Sequence, residues 1–482
     1  MSLESIDVTL FNQPLAPLTE TVPQNIAGVD SVLPADAEWD PQRRRVERID
    51  WDLVVELRGR ASSEIADRCS EHERITGKRL DADDRRMLGR SVIQTLVTDH
   101  ADAAHRDGHE AWPLEREQAY AVAVWNAIFG YGRLQPVFEI PDAENIEIIG
   151  CEPVRVQHPD GTRSTLPPIA DSDAELIDAV RFLGQSAEPS RPFDDAHPTM
   201  TLALGARFRL HAIGFGLSHR PSVVIRQHTM TDVTLHELAE GGLMPHELAD
   251  FLGAAVLDRR SIVISGDQGA GKTTLLRALI AAIPMHERFA TIETDYELLT
   301  HLLPGRDNIL ALQARLGAGE VHNGQRIGEV TVADLIPEAL RQNLTRLIVG
   351  EVRGVEARAM VEAMQAGAGA LSSVHAHSAA ATLDRLVARM ARGGEITVDE
   401  AYGQIASNLD LVVHVGLHDD TWRRGKRHRR VNEVRHVTGG LENGRPITHV
   451  VYRAEHGPEG PAGFTPPVDL VHRFARYEGW IR

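Results

Sequence analysis

Cysteine is nearly absent: Cys69 and Cys151 are the only two in 482 residues. So sparse a supply excludes a disulfide framework and a thiolate zinc cluster, and it fits a reducing compartment. Aromatic residues are scarce as well, at 5%, so the cores must be built mainly from Ala, Leu, Val and Ile. No apolar run approaches the ~18–20 residues that a membrane-crossing helix requires. The first residues, Met1-Ser2-Leu3-Glu4-Ser5-Ile6-Asp7, carry neither the basic region nor the apolar core of a signal peptide. Positive charge is in deficit too. The formal net charge of −18 argues against a protein that coats nucleic acid, which needs a basic face. A cytoplasmic protein is therefore the expectation. A hydrophobic content of 42% is ordinary for globular chains, and this length predicts about two to four domains.

Periodicity divides the chain. Residues 1–45 hold Pro14, Pro17, Pro23, Pro34 and Pro41 with little pattern and read as a disordered arm. Residues 46–130 read as a helical region, because Leu53, Val54 and Leu57, then Met87, Leu88, Val92, Ile93, Leu96 and Val97, recur at three- and four-residue steps. Over 131–229 the period becomes that of strands. Residues 145–149 and 154–158 alternate, Asp160-Gly161 signals a turn, 173–183 reads as a helix, and 207–213 and 222–226 read as strands. A linker is expected over 230–235. From 230 to 482 strands and helices alternate, the mark of a parallel sheet covered on both faces. Strands are expected to end at Ser265, Glu293 and Gly350, with another over 371–374, and helices over 272–282, 355–365 and 378–391. Thr397-Val398-Asp399-Glu400 is a capping box opening a further helix to about Asn408, and hairpin strands follow over 411–417, 430–437 and 449–453.

The sharpest chemical signal is Gly266-Asp267-Gln268-Gly269-Ala270-Gly271-Lys272-Thr273-Thr274. It follows the β-branched run Ile262-Val263-Ile264-Ser265 and precedes a helical pattern, which is the strand–loop–helix context that G-x-x-x-x-G-K-[ST] needs to grip a nucleoside triphosphate. The glycines let backbone N–H groups turn toward phosphate oxygens, and the helix N-terminus adds partial positive charge there. Lys272 would reach the β- and γ-phosphates of ATP, and the Thr273 hydroxyl would ligate Mg²⁺. Acids at later strand ends narrow the chemistry. Leu347-Ile348-Val349-Gly350-Glu351 is an apolar strand finishing in an acid, and the carboxyl ends of strands in a doubly wound sheet face the nucleotide. Glu351 is therefore expected beside the phosphates, orienting a water on Mg²⁺ or polarising the attacking water. Thr291-Ile292-Glu293 ends in the same manner, with Glu297 one helical step further on. One of these two reads as a catalytic base and the other as structural; the sequence does not assign which.

Two further clusters have blander readings. His375 and His377 share a strand face, but with no third ligand nearby zinc is not expected. The basic run Arg423-Arg424-Gly425-Lys426-Arg427-His428-Arg429-Arg430 lies between strand-like segments and reads as a solvated hairpin loop, with nucleic acid or anionic lipid as alternative contacts.

Four motifs, in order, make the chain resemble the secretion ATPases of the type II/type IV superfamily, most closely the CpaF/TadA and VirB11-like branch. They are the Walker A loop at 266–273, the acidic box Ile292-Glu293-Thr294-Asp295-Tyr296-Glu297-Leu298, the string Val349-Gly350-Glu351-Val352-Arg353-Gly354, and the histidine box Ser373-Val374-His375-Ala376-His377-Ser378. Upstream, Gly130-Tyr131-Gly132-Arg133-Leu134-Gln135-Pro136-Val137 is similar to the family's entry into its N-terminal α+β domain, and the likeness covers about 130 to 437. The resemblance implies an α/β fold: a RecA-like P-loop NTPase domain preceded by a smaller α+β domain and a helical N-terminal region. It implies Mg²⁺-dependent ATP hydrolysis by a homohexameric ring at the inner face of a membrane. Integral-membrane platform proteins of a pilus or secretion system would be its partners, and pilus assembly or export its work. It also implies that His375 senses phosphate, and that Arg209 and Arg226 neutralise phosphate charge as the domains close, with Arg207 a competitor on the same strand face. Thr294 stands where the family usually has Asp, and His377 where Asn is usual. Because the same modules serve conjugation, an ATPase that moves DNA is the runner-up, although the net charge makes a nucleic-acid partner unexpected. A nucleotide-gated scaffold with little hydrolysis is a third reading, disfavoured by the presence of both Glu293 and Glu351.

Overall fold

The computed structural model of the chain describes residues 49–187, 190–454 and 463–479, apart from positions 206, 229, 231, 316, 318–320, 323–324, 355, 366, 368 and 395. The arm expected over 1–45 lies outside the described residues. Two units divide the chain: one runs to His158 and includes Arg163–Gln227, and the other comprises Pro159–Thr162 and His228 onward.

The first unit begins with three helices, α1 (Trp51–Thr76), α2 (Ala82–Arg106) and α3 (Leu114–Phe129). Asp50 and Asp81 cap the first two, each accepting two backbone N–H groups that a first helical turn leaves without partners. The apolar stripes meet in a shared core that includes Val54, Leu57, Ile93, Val97, Tyr120 and Val124. Met87, counted in the expected stripe, instead faces outward at 67% exposure. After a short helix, α4 (Gln135–Phe138), come β1 (Asn145–Ile149), β2 (Val154–Gln157), β3 (Arg163–Leu166), α5 (Asp173–Ser186), β4 (Thr199–Leu204), β5 (Phe208–Ile213) and β6 (Ser222–Gln227). The strands form an antiparallel sheet in the order β3-β2-β1-β6-β5-β4, and α5 contributes Leu176, Val180 and Leu183 to its core. The outermost strands, β3 and β4, were not among those expected. At such an edge β3 leaves three of its four residues exposed, so it carries no apolar alternation to read.

The second unit opens with α6 (Leu235–Glu240) and α7 (His246–Leu257), then β7 (Ile262–Gly266), α8 (Lys272–Ala281), β8 (Phe289–Glu293) and β9 (Ile309–Gln313). A small ribbon, β10 (Val321–His322) with β11 (Gln325–Arg326), precedes α9 (Val332–Leu340), β12 (Arg346–Val352), α10 (Glu356–Gln365) and β13 (Ala370–His375). Then follow α11 (Ala379–Met390), α12 (Val398–Asn408), β14 (Leu411–Asp419), β15 (Arg427–Glu442), β16 (Arg445–Arg453), β17 (Gly463–Phe464) and α13 (Val468–Phe474). The capping box at Thr397 and Glu400 starts α12 as its sequence pattern predicts.

One nine-stranded sheet organises this unit in the order β17-β16-β15-β14-β7-β13-β12-β8-β9. Pairing is parallel from β14 to β9 and antiparallel from β14 outward to β17. Alternate residues of the central strands feed two separate cores: Ile262, Ile264, Ile348 and Val413 join one, while Val263, Leu347, Val349 and Val412 join the other. Burial of both faces is why these strands read as continuous apolar runs. The result is a RecA-like α/β domain, preceded in the chain by the smaller α+β domain and the helical region. Among the described residues, no helix is long and apolar enough to cross a membrane.

Candidate functional site

The central strand β7 delivers the glycine-rich loop. Gly271 caps α8 with φ of 95°, a left-handed conformation that costs a side-chain-bearing residue energy. The loop can therefore turn straight from strand into helix. Ala270 is fully buried, Asp267 and Gln268 are exposed, and Thr273 and Thr274 stand half-buried on the first helical turn. Lys272 folds back along the loop, with Nζ donating to the carbonyls of Gly266 (3.1 Å) and Asp267 (2.8 Å).

Sheet order brings two more residues to Lys272. Strand β13 lies beside β7, with His375 in register with Gly266, and His375 Nδ1 is 3.2 Å from Lys272 Nζ. Burial, then the neighbouring Lys272 cation, holds this imidazole below its ordinary range. Strand β12 lies beside β13. Contrary to the expectation that it stops at Gly350, it runs on to Val352, and its register against β13 shifts between Val349 and Val352. Glu351 sits in that irregularity, where the Ser373 hydroxyl donates to the Gly350 carbonyl at 2.7 Å. Glu351 Oε1 lies 3.1 Å from His375 Nε2, without hydrogen-bond alignment, so that oxygen is buried with no donor. Glu351 Oε2 accepts from Arg353 at 2.7 Å. Burial pushes this carboxyl up, but Arg353, with the Lys272 cation, outweighs it and keeps it below the ordinary carboxylate range.

Glu293 and Glu297 form a second group, on the next strand outward. Residues 294–299 are an irregular turn, so Glu297 is not a helical step beyond Glu293. Instead the turn wraps the Glu293 carboxylate, whose Oε1 accepts from the backbone of Glu297 (3.0 Å) and Leu298 (2.8 Å). Oε2 is buried without a partner. Burial pushes this carboxyl up to about 7, against the lowering pull of the two N–H groups and Arg277. Strand β12 is its immediate neighbour: a Cβ at Gly350 would meet Glu293 Cγ at 3.0 Å, so any side chain there would press on the acid.

Arg209 and Arg226 lie in the other unit, directly opposite one another across β5 and β6 and hence on one face of that sheet. Arg207 stands in the turn just before β5 and is exposed, its guanidinium over the Phe208 ring.

Three residues near the loop escaped sequence reasoning. Arg277, on α8, donates to the carbonyls of Met230 (2.8 Å) and Glu297. His414, on β14, lies 3.1 Å from the Ser265 hydroxyl behind the loop. Arg429 belongs to the basic run, yet its Nε donates at 2.8 Å to the carbonyl of Gly269. Half of that run is strand rather than loop: β15 begins at Arg427, which pairs with Asp419, and Arg430 donates to His418. Only the placement of α8, β14 and β15 around the loop, which the sequence does not show, could have identified these residues.

The arrangement fits a nucleoside triphosphate. A strand–turn–helix presents backbone N–H groups and an ammonium at one point, and a buried carboxylate oxygen without a donor faces the same end of the sheet. Among the described residues, no cluster of three or more His, Cys, Asp or Glu could hold a metal ion. Mg²⁺ keeps waters and substrate phosphates among its ligands, and the groups that could hold it here are the Thr273 hydroxyl and, through water, Glu351.

Residues 152–438 match the family described as "Type II/IV secretion system protein". A Mycobacterium tuberculosis protein named for conjugal transfer is 32% identical over 299 residues, covering 59% of this chain and 80% of that protein. The type IV secretion system protein VirB11 of Brucella suis is 31% identical over 272 residues, 51% of this chain and 72% of that protein. The crystal structure of the Brucella suis VirB11 ATPase in complex with sulphate matches at 26% identity and a TM-score of 0.33, covering 64% of this chain and 96% of that one. The chain belongs to the type II/IV secretion system protein family.

Proposed function

We propose that this chain is an Mg²⁺-dependent ATP hydrolase that powers a type II/IV secretion machine, with Lys272, Glu351, His375 and Glu293 at its centre. The observation that carries this reading is the continuous contact from Lys272, at the start of α8, through His375 on β13 to Glu351 on the neighbouring β12. Residues 266–274 would hold the triphosphate, and Lys272 would leave the loop carbonyls for the β- and γ-phosphates. Mg²⁺, when bound, would offset the charge developing on the phosphates. Glu351, kept ionised by its cations, would orient water around the Thr273 side of the site. Glu293 would be the general base, because its proton affinity is poised near neutral pH while that of Glu351 is held low. Glu297 would then be structural, supplying the N–H and carbonyl that bind the turn. His375 would report occupancy of the γ-phosphate position through its contacts with Lys272 and Glu351.

In the same reading, residues 46–130, 131–229 and 230–482 are three working parts, with Arg209 and Arg226 meeting the nucleotide from the second. The assembly would be a homohexamer at the cytoplasmic face of a membrane, acting on an integral-membrane platform protein of a CpaF/TadA-like pilus or export system. The relative named for conjugal transfer favours a second reading, in which the cargo is DNA. Phosphate release by the purified protein tests the hydrolase directly: Lys272→Ala should abolish it, and unchanged turnover would remove the P-loop from the mechanism. Pull-down from detergent-solubilised membranes separates the two cargo readings, because it recovers either a pilus platform or a DNA-transfer component.

A further inference from the structure

Arg277 is a buried charge that the P-loop chemistry does not use. It stands on α8 five residues beyond Lys272, so the helix rise carries it roughly 7–8 Å along the axis. Its side chain is 6% exposed. Nη1 donates to the Met230 carbonyl at 2.8 Å, in the segment leading into α6, and Nη2 donates to the Glu297 carbonyl. Nε is buried without a hydrogen-bond partner, as is Oε2 of Glu293. A guanidinium removed from water is costly unless its charge is answered. Here the answering charges are Glu293 and Glu297, while burial itself pulls Arg277 down to about 10, still protonated at neutral pH. The other titratable groups at the turn are Tyr296, which senses Glu293, and Asp295, which with Glu297 faces Arg353 at the end of β12.

We propose that Arg277 is a positioning residue for the acidic turn, holding the loop that wraps Glu293 through the Glu297 carbonyl and presenting a buried positive charge to that carboxylate. The proposal rests on Glu293 acting as the base. A single guanidinium thereby ties three things together: the P-loop helix, the segment entering α6, and the turn carrying the base. Lysine could supply the charge but, as a compact ammonium, not the planar fork that spans two carbonyls.

The test compares the full-length wild type with R277M, R277K and E293Q, measuring kcat and KM for ATP from pH 5.5 to 9 together with melting temperature against pH. In R277M the expected results are a KM for ATP within about threefold of wild type and a kcat reduced roughly tenfold or more. The acid limb of its kcat profile should move up by about one pH unit, because an opposite charge that lowered the Glu293 proton affinity is gone. R277K should keep much of the limb's position but not the rate. A lowered melting temperature with the acid limb superimposed on wild type would overturn the proposal, since a merely structural arginine predicts that result. Should R277M fail to fold, the R277K result decides alone: wild-type kcat there overturns it. If E293Q retains wild-type kcat, the base assignment fails by itself. Arg277 is then judged by melting. The folded protein holds the Glu293 proton to higher pH than the unfolded chain, so stability falls as pH rises from the ordinary carboxylate range toward about 7. R277M must shift that fall upward, and coincident curves would overturn the proposal.

Discussion

The ammonium of Lys272 lies 3.2 Å from Nδ1 of His375, joining the P-loop to the neighbouring strand. An ammonium has donors only, so Nδ1 must be the acceptor, and a neutral imidazole then carries its proton on Nε2, the nitrogen 3.1 Å from Glu351 Oε1 but not aligned to donate to it. Removing the ring disconnects the loop lysine from the acid. His375→Ala should lower kcat by about 10²-fold with little change in ATP affinity. Steady-state phosphate release and fluorescent-nucleotide titration check this together. Because the imidazole is held below its ordinary range, it stays neutral at pH 7, and any loss of activity from charging it belongs to more acidic conditions.

Glu293, buried and pushed up to about 7, should impose its own pH dependence. A general base acts only when deprotonated, so kcat should rise as pH increases through about 7 and level off above it. Glu293→Gln should remove that limb and lower kcat by about 10²–10⁴-fold while the protein still binds ATP. A wild-type profile flat across this range would exclude Glu293 as the base.

Arg429 bears on nucleotide affinity. Its hydrogen bond to the Gly269 carbonyl helps hold the loop in shape, and a hydrogen bond to a charged donor is worth about 1.5–3 kcal/mol. Arg429→Ala should therefore weaken ATP binding roughly tenfold. Isothermal titration with ATP measures it. Arg423→Ala, in the exposed turn before β15, should bind ATP like wild type.

Stability of the second unit depends on Arg346 and Glu287. Arg346 is fully buried, donates to both Glu287 carboxylate oxygens (2.8 and 3.1 Å), and donates to the Val256 carbonyl. Arg346→Leu leaves Glu287 buried without its main counter-charge and should cost about 3–5 kcal/mol. Urea unfolding, followed by circular dichroism, reads the loss. Replacing both residues with apolar ones should recover much of it.

Local physics alone made the P-loop, one helix cap and the paired-strand signals legible. Gly271, Lys272 and Thr273 are adjacent in the chain, and the turn they form depends on φ angles and hydrogen bonds spanning a few residues. The capping box of α12 is readable for the same reason. Glu351 was found as an acid near the end of an apolar strand, but its bulge was not, because a bulge is a mismatch with a partner strand and has no signature in one strand alone. Arg277, His414 and Arg429 carry no such local signal. Each meets its partner across 20 to 160 residues of chain. The sequence by itself determined the strands and helices that carry a clear period, and the glycine-rich strand–loop–helix among them. Only the tertiary structure decided that β13 and β14 flank β7, and with that which histidines, acids and arginines surround the loop, since strand order follows from packing two buried faces and not from any period along the chain.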